Sequence, residues 1–267
     1  MPRTFFGPFN EQNSTYAEPA GGNTGRWGLG ETLILPDERT YRFVRNDGTV
    51  EVAGNLYQSI VPIADHSNRS ADVVRAAAVG LGSAMTTSGA VAISATLGAT
   101  LAAVDEYTEG FVHINAGASA GLGTGYRIRR ARATNDAHAA VAASGVMTVN
   151  LEPGENVQVA LVVTTSKVTF THSRFQKIII TAAPPTAGYV GISPGVAAAN
   201  RYYWSQTKGL AAVLDTGTIV VGDSCVGITA AGAVGVPTSY ATDGPGIGQV
   251  VYYNATAEYA VIDLRID

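Results

Sequence analysis

Residues 201–214 read Arg-Tyr-Tyr-Trp-Ser-Gln-Thr-Lys-Gly-Leu-Ala-Ala-Val-Leu. Aromatic and β-branched residues favour strands, so this stretch predicts two strands, 201–206 and 211–214, on either side of Gly209. Strand signals also follow it, at 224–228, 248–253 and 259–266. The C-terminal third of the chain is therefore expected to be a β structure.

The same signal continues upstream of this stretch. The runs 41–45 and 49–52 alternate between apolar and polar residues around Asp47-Gly48, a pair that predicts a β-hairpin. A short helix is expected at 99–107. Further strands are predicted at 90–97, 110–114, 126–132, 146–151, 158–164, 167–171 and 176–181. Strands about 10 residues apart with turn residues between them are typical of a sandwich or barrel, so we predict an all-β chain.

The spacing of prolines and glycines predicts three parts. Residues 1–40 are rich in both types, which disfavours long regular elements, and are interpreted as an extended N-terminal arm. Residues 41–185 form the main β-sandwich or barrel domain, and residues 186–267 a smaller C-terminal β-barrel-like unit. The arm carries aromatic residues that would order it by docking on a partner or, equally, on its own domain: Phe5, Phe6, Phe9, Tyr16 and Trp27.

Composition limits the function. The chain has 267 residues, a net charge of −4, 46% hydrophobic residues and 14% charged residues. These values argue against disorder and against nucleic-acid binding, and no apolar run is long enough for a transmembrane helix. Cys225 is the sole cysteine, which excludes an internal disulfide, and it is expected to be a small buried apolar residue. So few charges suggest a subunit of an assembly, or alternatively a β protein with a Thr- and Ser-rich surface.

No motif makes a strong case for an enzyme. Residues 117–121 match G-x-S-x-G around Ser119, but the residues that follow are glycine-rich and do not form the helix that this motif requires. Gly222-Asp223-Ser224 is interpreted as a turn. The densest acidic group, Asp105, Glu106 and Glu109, is expected to be a solvated turn. The histidines are scattered along the chain, at His66, His113, His138 and His172. We therefore expect no catalysis, no metal and no cofactor.

The strongest charge feature is a set of four arginines. In a strand, Arg127 and Arg129 would share one face, while Arg130 and Arg132 would share the other. One pair could bind internal carboxylates and the other an acidic partner, because guanidinium groups bind carboxylates in a bidentate manner. The alternative is an edge strand that its charges protect from aggregation.

Three stretches carry a family resemblance. They are residues 201–214 with the following Asp215-Thr216-Gly217-Thr218 and Val221-Gly222-Asp223, the upstream block 106–111 with 125–128, and the C-terminal run 258–266. Over roughly residues 50–267, this pattern resembles that of the head structural proteins of tailed bacteriophages, described as capsid decoration or cement proteins.

The resemblance implies an all-β virion protein on the exterior of the capsid. Such a protein binds the major capsid protein, is often a homotrimer, and needs no cofactor, nucleic acid or membrane. The arm would reach a neighbouring subunit. A tail, fibre or host-attachment module is the alternative, in which Tyr202, Trp204 or Tyr252 could stack on sugars unless they pack in the core. A third reading is a hydrolase that uses Ser119.

Overall fold

The computed structural model describes residues 3–4, 16–17, 27–71, 88–116, 122–131, 135, 137–161, 165–215, 219–227, 230–238, 245–253 and 258–267. In these residues the regular elements are β-strands and a 3₁₀ turn at Ala64–His66, which confirms the all-β prediction. The chain divides into two compact units. Unit 1 comprises Met1–Glu18, Trp27–Val61 and Arg174–Asp267, and unit 2 comprises Pro19–Arg26 and Pro62–Ser173.

The described residues of unit 1 form a twelve-stranded sheet. Its strands are β1 (Arg3–Thr4), β2 (Tyr16–Ala17), β3 (Thr32–Ile34), β4 (Thr40–Arg45), β5 (Leu56–Gln58), β12 (Ile179–Ile180), β13 (Tyr189–Ile192), β14 (Arg201–Leu214), β15 (Ser224–Gly227), β16 (Val234–Gly235), β17 (Gly248–Tyr252) and β18 (Tyr259–Arg265). The main path runs β1-β3-β4-β14-β18-β17-β15-β16, while β2, β5, β12 and β13 pair off that path.

Strand β14 holds this sheet together because it pairs with different strands along its two halves. Its first half lies antiparallel to β4, with Trp204 opposite Phe43, and its second half lies antiparallel to β18. The change of partner coincides with a bulge between Gln206 and Lys208 and with Gly209, whose φ of +85° is accessible to glycine at little cost. The two predicted strands are therefore one continuous strand of 14 residues.

Aromatic side chains pack on one side of this junction. The Phe43 ring stacks on that of Tyr202 at 5.6 Å and lies 5.1 Å from that of Trp204. Trp27 completes the group, at 5.5 Å from both Phe43 and Trp204. Another cluster of unit 1 contains aliphatic residues of β14, β17 and β18 together with the buried thiol of Cys225, as the sequence predicted.

The described part of unit 2 contains six strands: β6 (Arg69–Ser70), β7 (Ala92–Thr96), β8 (Phe111–Ala116), β9 (Gly125–Arg127), β10 (Val146–Asn150) and β11 (Lys167–Thr171). They form a four-stranded sheet, β6-β11-β8-β9, and a two-stranded sheet, β10-β7. Antiparallel bridges from Ile128 to Leu151 and from Ala71 to Ala95 join the sheets at both edges. The six strands thus form a closed ring around one apolar core, so this unit has the architecture of a small barrel.

The limits of the two units differ from the predicted domain boundaries, which lay between residues 40 and 41 and between residues 185 and 186. Residues 41–61 belong with the C-terminal strands, because β4 pairs with β14 and β5 pairs with β13. Residues 32–34, assigned to the arm, form β3 and pair with β4. The cause is long-range pairing, which a local pattern of prolines and glycines does not reveal.

Three local predictions are wrong. The Asp47-Gly48 hairpin does not form, since β4 pairs with β3 and β14, and residue Glu51 instead bridges to Ala197. Residues 99–107 are not a helix: they contain a bridge from Ala102 to Val141 and a series of turns. Of the predicted strand 158–164, the described residues 158–161 are irregular.

A buried carboxyl group lies beneath the surface of unit 1. Glu51 is completely buried, although its neighbours Val50 and Val52 are exposed, because the extended backbone alternates its side chains. Burial raises the pKa of Glu51 to about 8, and the hydroxyl groups of Tyr57 and Tyr203 offset this only in part. The folded protein therefore holds this acid in its neutral form at pH 7.

We expect Gly191→Ala to destabilise unit 1. A Cβ at residue 191 would lie 2.7 Å from the Gln206 carbonyl oxygen and against the hydroxyl of Ser205, so β13 and β14 would have to separate. The expected loss is about 1–3 kcal/mol of unfolding free energy. Urea unfolding followed by tryptophan fluorescence measures it, since Trp27 and Trp204 both belong to unit 1.

Gly188→Ala is the matched control, because a Cβ there meets no atom within 4 Å. Equal unfolding midpoints for the two variants would contradict the close approach of the two strands.

Candidate interaction surfaces

Five consecutive residues, Asp105-Glu106-Tyr107-Thr108-Glu109, form the loop that enters β8, and we call them the 105–109 loop. Each side chain contacts a different part of unit 2. The Asp105 carboxylate accepts backbone N–H groups of Asn135, Ala137 and His138 at 2.9–3.1 Å. The Thr108 hydroxyl accepts the N–H of Ala131 at 2.7 Å. The loop therefore connects segments that are distant in sequence.

The backbone of this loop is strained at both ends. Asp105 and Glu109 have φ values of 51° and 55°, in the left-handed region, which costs roughly 1–2 kcal/mol for a residue other than glycine. Both residues are held there by their carboxylate contacts. The acidic group is thus a turn, as predicted, but the expectation of a solvated one is wrong: Glu106 and Glu109 are buried, because their carboxylates meet cationic or hydrogen-bonding partners.

Glu109 forms ion pairs with two of the four arginines, Arg127 and Arg130. Its carboxylate lies 3.3 Å from Nη2 of Arg127 and 3.2 Å from Nε of Arg130, and its side chain is only 1% exposed. The sequence placed these arginines on opposite faces of a strand. Strand β9 ends at Arg127, so the alternation stops and both side chains reach the same carboxylate.

Three carboxylates contact Arg127 and Arg130 and offset their positive charges. Besides Glu109, Glu152 accepts the backbone N–H of Arg130 at 3.0 Å, and Glu155 accepts that of Arg127. Arg129 is exposed and its guanidinium has no partner among the described residues. Arg132 lies outside the described residues. A role for these four arginines in binding an acidic partner stays a prediction, and Arg129 is the described residue best placed for it.

The aromatic residues of the predicted arm have different positions. Phe5, Phe6 and Phe9 lie outside the described residues. Tyr16 belongs to β2, whose backbone pairs with β14 at Tyr202, and Trp27 packs in the aromatic cluster of unit 1. Where the structure describes this segment, it therefore docks on its own chain, which was one of the two expected alternatives.

Unit 1 also presents an exposed apolar surface, which we call the Val/Tyr surface. Five large apolar side chains are 46–60% exposed: Val220, Val221, Val251, Tyr252 and Tyr253. Two hydrogen bonds hold the 220–223 turn against β17, from Gly222 N–H to the Val250 carbonyl and from Val250 N–H to that of Asp223, both at 2.9 Å. Gly222-Asp223 is thus a turn, as predicted, and it brings the two valines beside the exposed end of β17.

The sequence identified only one residue of this surface. It proposed Tyr202, Trp204 and Tyr252 as residues that could stack on a ligand, with core packing as the alternative. Tyr202 and Trp204 are 3% exposed and pack in the aromatic cluster, whereas Tyr252 is 57% exposed. A bulge between Val250 and Tyr252 breaks the alternation of β17, and so Val251 and Tyr252 are both exposed. No sequence signal marks such a bulge.

Ser119 and the rest of its G-x-S-x-G match lie outside the described residues. Within the described residues, no three His, Cys, Asp or Glu side chains are grouped so as to hold a metal ion. The same residues contain no helix with the length and hydropathy needed to cross a membrane. Burial raises the pKa of the Cys225 thiol to about 12, so this cysteine is unreactive near neutral pH.

Comparison of the chain with protein-family models, with curated proteins and with solved structures gives no match.

We expect Glu109→Gln to destabilise unit 2. The substitution leaves Arg127 and Arg130 against a buried neutral amide, and breaking a buried ion pair costs several kcal/mol, reduced here because Arg127 is 43% exposed. The expected loss is about 2–4 kcal/mol. Native-state hydrogen exchange of β8 and β11 amides measures it.

Glu152→Gln is the control for this experiment. It makes the same chemical change on the same surface but keeps an oxygen that can accept the Arg130 N–H, so its effect should stay within about 0.5 kcal/mol. A Glu109→Gln variant as stable as this control would show that the two ion pairs contribute little.

Proposed function

We propose that this chain is a structural protein of a virion. It binds the outer surface of a tailed-bacteriophage head and bridges capsomers as a decoration or cement protein. Its partners are the major capsid protein and further copies of itself, which form a homotrimer. The sequence resemblance supports the type of particle, and the low fraction of charged residues, 14%, supports life in an assembly.

The observation that carries the proposal is the Val/Tyr surface. Large apolar side chains that are exposed together on a folded chain mark a protein interface more often than isolated ones do. Tyrosine is also enriched at such interfaces, since it combines a large apolar ring with a hydroxyl that can face water. The surface therefore suits contact with another folded protein.

The physical role of a cement protein is to oppose separation of the capsomers. DNA packed inside a head pushes the shell outward, and a subunit bound across a seam must be detached before the seam opens. An interface of standard size buries about 1,600 Å², and its repetition over the shell adds up to a large stabilisation. Arg129 would add an electrostatic contribution where the shell surface is acidic, and this contribution would weaken as salt rises.

A tail, fibre or host-attachment module is the alternative. The exposed ring of Tyr252 favours it, because an aromatic face of this kind can stack on a sugar ring. The two functions differ in stoichiometry: a cement protein occurs in hundreds of copies, and an attachment module in tens or fewer.

The first experiment therefore measures the number of copies of this chain per particle. Quantitative mass spectrometry of purified particles gives the ratio of this chain to the major shell protein. A simple ratio near that of the shell protein supports the cement function, and a much smaller number supports the attachment module. Absence of the chain from particles would contradict both.

The Val/Tyr surface gives a second test. We expect Val221→Ser and Tyr252→Ser each to lower retention of the protein on undecorated heads about tenfold, which corresponds to roughly 1.4 kcal/mol of lost apolar burial. Co-sedimentation with heads over a concentration series measures it.

Val91→Ser is the matched control for Val221→Ser. Val91 is 53% exposed and Val221 is 60% exposed, but Val91 belongs to unit 2. Equal retention of Val221→Ser, Val91→Ser and the unmodified chain would exclude the Val/Tyr surface as the attachment site.

A further inference from the structure

Three of the four histidines of the chain surround Tyr107 in unit 2. The ring centres of His172, His66 and His138 lie 4.6, 5.7 and 5.9 Å from that of Tyr107. They come from the end of β11, from the 3₁₀ turn before β6 and from the loop before β10. Their side chains are buried, and we call the four residues the His/Tyr cluster.

The hydrogen-bond partners of His138 determine its charge and tautomer. Nδ1 lies 2.9 Å from the carbonyl oxygen of Ala139, which can only accept, so Nδ1 carries the proton. Nε2 accepts the backbone N–H of Tyr107 at 3.1 Å and must therefore carry none. His138 is neutral in the folded state, and a second proton on Nε2 would face an N–H donor and break this hydrogen bond.

In His66 the roles of the two ring nitrogens are reversed: Nε2 donates and Nδ1 accepts. Nε2 lies 2.9 Å from the carbonyl oxygen of Thr100 and donates to it, while Nδ1 accepts from the hydroxyl of Tyr107. Burial and the charge of Glu106 raise the pKa of this hydroxyl, so it keeps its proton and remains the donor. A proton on Nδ1 of His66 would compete directly with that donor.

His172 differs from the other two. Its Nε2 lies 2.8 Å from the Glu106 carboxylate, a contact that a protonated imidazole would keep as an ion pair. The other charged groups nearby are Asp105, whose carboxylate binds backbone N–H groups, and the Asp65–Arg69 ion pair beside the 3₁₀ turn. The acid-sensitive contact of the cluster is thus the one that His138 makes with the backbone N–H of Tyr107.

We propose that the His/Tyr cluster is an acid-sensitive latch that opens unit 2 while unit 1 stays folded. Protonation of His138 breaks its bond to the Tyr107 backbone and releases the 105–109 loop. The loop contains Glu109, so its release also frees Arg127 and Arg130 from their carboxylate. Mild acid therefore converts a charge-balanced surface into one with available guanidinium groups.

The direction of the pH dependence follows from linkage. Burial lowers the pKa of His138 below its ordinary value of 6.5, despite the opposing influence of the Ala139 carbonyl, Asp105 and Glu106. The folded state then binds fewer protons than the unfolded state. The stability that His138 contributes is complete above pH 6.5 and is lost as the pH falls from there through the lowered pKa.

Glu51 contributes a pH dependence of the opposite sign to unit 1. The pKa of Glu51 is raised from 4.5 to about 8, so its contribution to stability is complete below pH 4.5 and is lost as the pH rises through 8. Acidification from pH 7 to pH 5 therefore removes stability that His138 contributes to unit 2 and adds stability that Glu51 contributes to unit 1. This opposition is what makes the opening selective.

Hydrogen exchange of the full chain at pH 7 and pH 5, corrected for intrinsic exchange rates, tests the latch. We expect protection of β8, β10 and β11 amides to fall, by up to about thirtyfold, because the contribution of one group with an unfolded pKa near 6.5 changes at most tenfold per pH unit below that value. Protection of β14 amides should be unchanged or higher. Loss of protection in both units at the same pH would overturn the proposal.

Two variants identify the residue responsible. His138→Gln offers a neutral acceptor in place of Nε2 and should abolish the fall in protection. His113→Gln is the control, because His113 lies on β8 beside Phe111 and outside the cluster, and it should keep the fall. A fall of equal size in both variants would exclude His138 as the trigger.

A measurement on the unmodified chain avoids any folding defect of the variants. Imidazole ¹⁵N chemical shifts at pH 7 should show His138 as the neutral tautomer with its proton on Nδ1, the less common form in solution. A protonated ring, or a proton on Nε2, would overturn the assignment. In parallel, Glu51→Gln should remove the loss of unit 1 stability between pH 7 and pH 9, read by tryptophan fluorescence.

Discussion

The carboxylates of the 105–109 loop, two of them buried, make the contacts on which unit 2 depends. Each buried carboxylate must be matched inside the protein, since an unmatched buried charge is far more costly than a matched one is favourable. Asp105 is matched by backbone N–H groups, Glu106 by His172, and Glu109 by Arg127 and Arg130. These partners fix the positions of loops that share no regular pairing, at the end of the ring where β8 begins and β11 ends.

Unit 1 is organised by pairing instead of by buried charge. Strand β14 is long enough to accept β4 on one half and β18 on the other, and Gly209 lets the backbone change geometry between them. The aromatic cluster around Phe43 and Trp204 covers the first half, and aliphatic residues such as Ile262 cover the second. The two units therefore use different physical means to hold distant segments together.

The sequence predicted elements better than it predicted partners. Alternating runs located β4, β10, β11, β17 and β18 to within a few residues. In β10, β11 and β18, buried side chains alternate with more exposed ones as expected. The Asp47-Gly48 hairpin failed since the partners of β4 come from elsewhere in the chain. The helix at 99–107 failed because Asp105, Thr108 and Glu109 have contacts with distant segments that outweigh local propensity. The Val/Tyr surface and the His/Tyr cluster depend on bulges and loop paths, which no short sequence window contains.

Strand β4 cannot pair with β14 until β14 has been synthesised. Their pairing joins Arg45 to Tyr202, so roughly 150 further residues are translated first, which takes about 8–30 s at the usual rates of 5–20 residues per second. The strands described in unit 2, β6 to β11, are all translated in that interval. All segments of the barrel are therefore translated while β4 still lacks its pairing with β14. In the cell, a chaperone that binds nascent chains would bind the segment that contains β4. A ribosome stalled before residue 201 would carry the whole of unit 2 together with a β4 strand that lacks its partner β14 and is prone to aggregation.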